Sequence, residues 1–248
     1  MIALRWLLVV AVLLLPAEAV RADQPLLADL TSHLIAITTG FTGTSVVLFG
    51  ATDGPGDIII IVRGPESDLV VRQKRHLAGI WINAHDVTFA AVPSYYAVFS
   101  SRALDQVAPP GMQALHQIGI KNLRLDPRDP NRPPDEIATF RAALIDEERR
   151  AGVWSEQPGS VSFLGDRLFR ATIAFPSNVP TGTYLVEVLL LRQGNVISGQ
   201  TTPLVVSEIG LNADLAEFAL ANAWLYGFLA VAGAALLGWL ASLPFRDA

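Results

Sequence analysis

Four histidines, His33, His76, His85 and His116, are the side chains best suited to metal or acid-base chemistry in this sequence, and they form no HxH, HExxH or His-x3-His spacing. His85 adjoins Asp86, but neighbouring side chains on a strand point to opposite faces, so the two read as a surface or loop pair. His33 would share a strand face with Ile35 and Ile37 and reads as a satisfied, partly buried imidazole. No Gly-x-Ser-x-Gly elbow occurs. The stretch Gly50 to Gly56 lacks the Lys-Ser/Thr of a phosphate loop and the spacing of a dinucleotide fingerprint, and so reads as a turn. Asp53 and Asp57 within and beside it could ligate calcium in a sandwich loop, yet two carboxylates in a Gly-Pro turn are ordinary turn chemistry. The sequence offers no catalytic residue, metal-ligand set or cofactor motif, and its lack of cysteine removes thiol catalysis, disulfides and a lipid-modified cysteine anchor.

What remains is recognition. Trp81 together with Tyr95 and Tyr96, in Pro93-Ser94-Tyr95-Tyr96, forms the candidate contact surface, because Trp and Tyr are enriched in binding patches. Adjacent tyrosines on a strand place one ring inward and one outward, so at most one of the pair is expected at the surface.

The elements that would position these groups are mainly strands. From His33 to Ser101, short β-branched runs (33–38, 44–49, 58–63, 69–75, 80–83, 87–92 and 95–100) alternate with turn formers, the clearest turns being 39–43 and 53–56. A second β stretch alternates more cleanly: Phe169, Ala171, Ile173 and Phe175 fall on one face, and Tyr184, Val186, Val188 and Leu190 repeat the period of two. Pro180-Thr181-Gly182-Thr183-Tyr184 has the form of a tyrosine corner before strand F of an immunoglobulin-like domain. Between the two stretches, Ile137, Phe140, Leu144 and Ile145 recur at helical spacing up to Gly152. The expected fold is an immunoglobulin-like β-sandwich over 23–208 with a helical insertion at about 103–152.

The ends place the sandwich outside the cytoplasm. Arg5, the apolar run 6–15 and Ala17-Glu18-Ala19 fit a signal peptide, assigned to 1–22, with cleavage after Ala19 or Ala22. Residues 218–245 carry no Asp, Glu, Lys, Arg or His, and 224–243 is long enough, at about 30 Å of helix, to span a bilayer core. A juxtamembrane and transmembrane helix is expected over 212–243, with Asn212 as N-cap, Asp214 and Glu217 at its positive end, and 244–248 as a cytoplasmic tail. On that helix Ala230, Ala234, Gly238 and Ser242 recur every fourth residue, a stripe that would permit close helix packing. The lipid bilayer is therefore an expected partner, whereas a net charge of −5 gives no basic footprint for nucleic acid.

The segments Ile35 to Thr44, Leu48 to Asp57, Val92 to Tyr96, Gly238-Trp239 and Phe245-Arg246 resemble a family of alphaproteobacterial transmembrane proteins to which no activity and no catalytic residues are assigned. The resemblance covers nearly all of the chain after the signal peptide. It implies a Gram-negative inner membrane, a periplasmic ectodomain and an accessory role beside a permease of the sulfite-exporter kind. The leading expectation is a non-enzymatic, membrane-anchored periplasmic interaction module whose partner is a transporter-like membrane protein or a second copy. The alternative is a periplasmic ligand-binding protein or enzyme with a loop-built site.

Overall fold

The computed structural model describes residues 25–77, 79–210 and 218–242. The expected signal peptide, the capping residues Asn212, Asp214 and Glu217, and the tail from 244 lie outside the described residues.

Two sheets face each other. The first is antiparallel, in the order β1 (Leu26–Leu30), β3 (Thr44–Thr52), β11 (Leu168–Phe175) and β10 (Ser162–Leu164). The second has the order β2 (Leu34–Ile37), β13 (Asn195–Glu208), β12 (Gly182–Arg192), β4 (Asp57–Arg63), β7 (Tyr96–Ser100) and β9 (Gly159–Ser160). Its outer pairs, β13 with β2 and β7 with β9, are parallel. A third sheet consists of the long hairpin β5 (Glu66–Leu77) and β6 (Ile80–Pro93) with β8 (Asp126–Pro127). The helices are α1 (Leu104–Val107), α2 (Pro110–Leu115), α3 (Pro134–Arg150) and α4 (Ala223–Ser242), with a 3-10 turn at Ile120–Asn122.

The period-two faces pack as the alternation requires. Phe169, Ala171, Ile173 and Phe175 are buried on the inner face of the first sheet, and Tyr184, Val186, Val188 and Leu190 are buried in the second. Phe175 meets Tyr184 edge-on across the interface at 5.7 Å between ring centroids, and Tyr95 stacks on Phe175 at 5.2 Å. The Tyr184 hydroxyl donates to the Pro180 carbonyl at 2.6 Å, which closes the corner that the sequence suggested.

Two strands switch sheets. After β1 pairs with β3, the chain turns at Ser32 and β2 runs parallel to β13, while β9 and β10 join the second sheet to the first on the other side. His33 lies in the first of these turns, exposed, its Nε2 2.9 Å from Asp29; it is not the half-buried strand residue expected, because β2 begins one residue later. The free edge of β1 is blunted by side chains. Gln200 accepts from the Ala28 N–H and donates to the Ala28 carbonyl, and Asp29 accepts from the Leu30 N–H, so the middle of this edge is already bonded.

Three boundaries differ from expectation. The runs 80–83 and 87–92 are one strand, β6, whose mismatch with β5 is absorbed by register shifts between Ser67 and Leu69 and between Gln73 and Lys74. The sequence also reads as separate short runs over 196–198 and 204–206, which are one strand, and Pro203 is tolerated within it because β2 covers β13 only from Val205 onward. Gly50 to Thr52 belong to β3 rather than to a turn. Gly50 faces inward against Phe169, where a Cβ would come within 2.4 Å of the ring, so only glycine lets that ring lie against the strand.

The insertion packs on the outer face of the second sheet. Helix α3 buries Phe140 and Leu144, and Ile137 and Ile145 pack beside them. It ends at Gly152, whose φ of 74° and N–H to the Arg149 carbonyl, with Val153 N–H to Glu148, make a Schellman closure. Burial has its own test in adjacent residues of β11, using residues 23–210. Phe169→Ala, on the inner face, should lower stability by about 2–4 kcal/mol, and Leu168→Ala, on the outer face, by less than about 1. Equal shifts in urea midpoints would mean the faces are assigned wrongly.

Candidate functional site

Among the described residues no group of three or more His, Cys, Asp or Glu side chains could hold a metal ion. His85 lines a groove of about 650 Å³ between β5 and α3, with Arg72, Lys74, Glu136, Thr139 and Phe140 among its walls. Glu136 there is paired with Arg132 at 3.0 Å. Asp86 is the cross-strand partner of Arg72.

The tyrosines expected at a contact surface are not available to one. Tyr95 and Tyr96 do point to opposite sides, but both sides are covered, the first by the sandwich core and the second by the helical insertion. Tyr95 donates to the Ala174 carbonyl at 2.8 Å. Tyr96 donates to the Gln117 carbonyl at 2.6 Å and accepts from the Gly119 N–H at 2.8 Å. Trp81 stands on β6, and its side chain lies outside the described residues. Trp154, which the sequence reading did not single out, is buried beside Tyr96 and donates its indole N–H to the Pro93 carbonyl at 2.9 Å.

A charged pair seals the same layer. Arg63 and Glu187 sit on the outer face of the second sheet at 2.8 Å, and Arg63 also donates to the His116 carbonyl of the insertion at 2.7 Å. His116 thus contributes its backbone to this junction. The arrangement ties the insertion to the sheet.

Among the described residues two surfaces are apolar and uncovered. On the outer face of the first sheet one cross-strand row reads Leu27, Ala51, Leu168, Leu164, and the next reads Asp29, Phe49, Arg170, Ser162. Leu27 is 61% exposed, Phe49 48%, Leu164 51% and Leu168 55%, over a shallow groove of about 760 Å³. The second surface is α4. Residues 218–221 are helical as well, and the Tyr226 N–H bonds to Asn222 across the junction. Trp224, Phe228, Leu229, Leu236 and Leu237 are exposed on different sides of it, as are Ala230, Ala234 and Gly238 of the small-residue stripe; the Ser242 side chain lies outside the described residues. Side chains of α4 are described through Trp239, and among the described residues no helix is long and apolar enough to cross a membrane. The span expected over 224–243 is therefore not met within the described part.

The molecule is thus a mainly β protein, with an insertion layered on its sandwich and a separate apolar helix. A family model described as "Putative transmembrane protein (Alph_Pro_TM)" matches residues 25–247, and the chain belongs to that family. No curated protein matches it.

The buried phenols give the site a pH signature. Burial pushes the Tyr96 hydroxyl up to about 12, with the Gly119 N–H partly opposing it. Burial likewise raises Tyr184 to about 12, and Tyr95 further still. Each pKa is raised above the unfolded value of about 10, so each favours the folded state fully below pH 10 and ever less as pH rises towards 12. Tyr95, Tyr96 and Tyr184 should ionise only together with unfolding. Phenolate absorbance followed alongside circular dichroism checks this; ionisation of the three near pH 10 with an intact fold would contradict it.

Proposed function

We propose that this chain is a membrane-anchored periplasmic interaction module, an accessory protein without chemistry of its own. In this reading a signal peptide over 1–22 exports the chain, α4 crosses the inner membrane within 212–243, and residues from 244 form a short cytoplasmic tail. The observation that carries the reading is α4 itself: a helix of 20 residues with no charged side chain and large apolar groups exposed on all sides. Such a surface belongs in lipid, and the sequence run 224–243, which continues past the described side chains, has at about 30 Å of helix the length of the hydrocarbon core.

The ectodomain is read as immunoglobulin-like. Supporting this are the two strand orders, the first strand that switches from one sheet to run parallel with the last strand of the other, and the Tyr184 corner at the start of β12. The β5–β6 hairpin and the helical segment are then two insertions flanking β7. The partner in this reading is another membrane protein, permease-like or a second copy. The exposed stripe Ala230, Ala234, Gly238 gives α4 a face for close helix contact.

Alkaline carbonate extraction tests the anchor. The full chain should stay in the membrane pellet, and a chain ending at Gly210 should move to the supernatant. A full chain released by carbonate would remove the anchor and the reading with it. The stripe has a separate test, since Ala234→Leu with Gly238→Leu should leave insertion intact and lower helix-to-helix crosslinking in native membranes. Unchanged yields would reduce α4 to a tether.

A further inference from the structure

We propose that the outer face of the first sheet is a homodimer face, on which two copies pack about a two-fold axis running along β3. This names the partner within the anchored-module reading and rests on it. The pattern of side chains carries the argument. On β3, the central strand, stand Phe49 and Ala51; β1 on one side carries Asp29 and Leu27, and β11 on the other carries Arg170 and Leu168, in matching rows. A two-fold axis along β3 exchanges the positions of β1 and β11 across the interface. Phe49 then faces the partner's Phe49, Leu27 faces the partner's Leu168, and Asp29 faces the partner's Arg170, twice over by symmetry.

That placement of one acid and one base at equal distances on either side of an apolar centre is what a self-complementary face requires. A foreign partner places no such demand on it. Arg170 is exposed, while Asp29 already meets His33 at 2.9 Å, so the pair would form as a rim contact that sets orientation while the leucines and Phe49 are covered. Growth by strand addition is not the competing mode, because Gln200 and Asp29 already occupy the free edge of β1. Lipid is not the occupant either. Gln200, beside Ala28, is eight residues before Glu208 on β13, so the face lies about 26 Å along the strand from where the chain leaves for α4.

The size of the face sets the strength. Four strands at about 4.8 Å spacing and eight residues of β11 give a footprint on the order of 500 Å² per copy. Total burial near 1,000 Å² is at the lower end of specific interfaces. The dimer is therefore weak in dilute solution and forms where anchoring in one membrane raises the effective concentration.

The native chain has no cysteine, so single-cysteine variants report one position each. In native membranes, full-length Phe49→Cys treated with a bismaleimide of about 10 Å reach, the separation of packed sheets, should give a dimer band by itself. Leu27→Cys and Leu168→Cys should give one chiefly when co-expressed, and Lys121→Cys on the exposed insertion should give none. Arg170→Glu should cut the Phe49→Cys yield about fivefold, the scale of an exposed ion pair, and adding Asp29→Lys should restore it. A Phe49→Cys yield no higher than that of Lys121→Cys, a crosslink to a different protein, or a double charge swap as weak as the single one would overturn the proposal. Carbonate extraction of the same membranes separates the two readings, since an anchored chain without the crosslink sinks only the dimer.

Discussion

The rest of this structure depends on covering the second sheet on both faces. Ile58, Ile59, Ile60, Ile61 and Val62 of β4 are fully buried in sequence, so both sides of that strand lie out of water. A two-layer sandwich buries one face of each sheet and leaves the other wet, which would put Ile59 and Ile61 in solvent. The helical segment removes that exposure by laying Ile118, Ile120, Leu123 and Leu125 into the same apolar core. The backbone follows the side chains: Tyr96 exchanges bonds with Val153 and Ser155, and Trp154 reaches the carbonyl of Pro93, so the insertion is fastened where its path ends.

Covering a sheet face creates a polar problem at its rim, and Arg63 with Glu187 is how this chain meets it. Both side chains are about one-fifth exposed, so they remain partly solvated and their pairing costs less desolvation than a fully buried pair would. The third partner, the His116 carbonyl, belongs to the insertion, so the charge on Arg63 also fixes where the layer sits. Removing one member would strand the other against apolar neighbours, a larger penalty than replacing both with groups of matched shape.

The strands that alternate were legible in the sequence because period two is a property of each strand alone: β11 and β12 have the inward sets that their residue order implies. Helix α3 and its Gly152 stop were legible for the same local reason. Strand β1 was not, since Leu26–Leu30 has no β-branched residue and is held by its pairing with β3 and by Gln200, a partner 172 residues away. The tyrosine pair failed as a surface for an equally non-local reason. Alternation places Tyr96 opposite Tyr95, but whether the opposite side is wet depends on where Gln117 and Gly119 of the insertion, 21 and 23 residues further along, come to rest. The apolar rows of the first sheet were invisible for want of register: Leu27, Phe49 and Leu168 become neighbours only through strand pairing.

The two sheets are thus treated unequally, and the inequality is informative. The described insertion residues pack on the second sheet, while the first keeps three leucines and a phenylalanine in water next to a well-formed core. Those side chains contribute nothing by burial to the folding of a lone copy, and they add to the chance of unwanted association. Simple substitution by Thr or Lys would remove that liability without touching the inner face, because period two separates the two faces residue by residue. The blunted edge of β1 makes the point sharper. The same strand that has its hydrogen-bonding edge closed by Gln200 and Asp29 leaves Leu27 open on its face, so this region resists edge-to-edge growth while remaining able to make a finite, face-to-face contact.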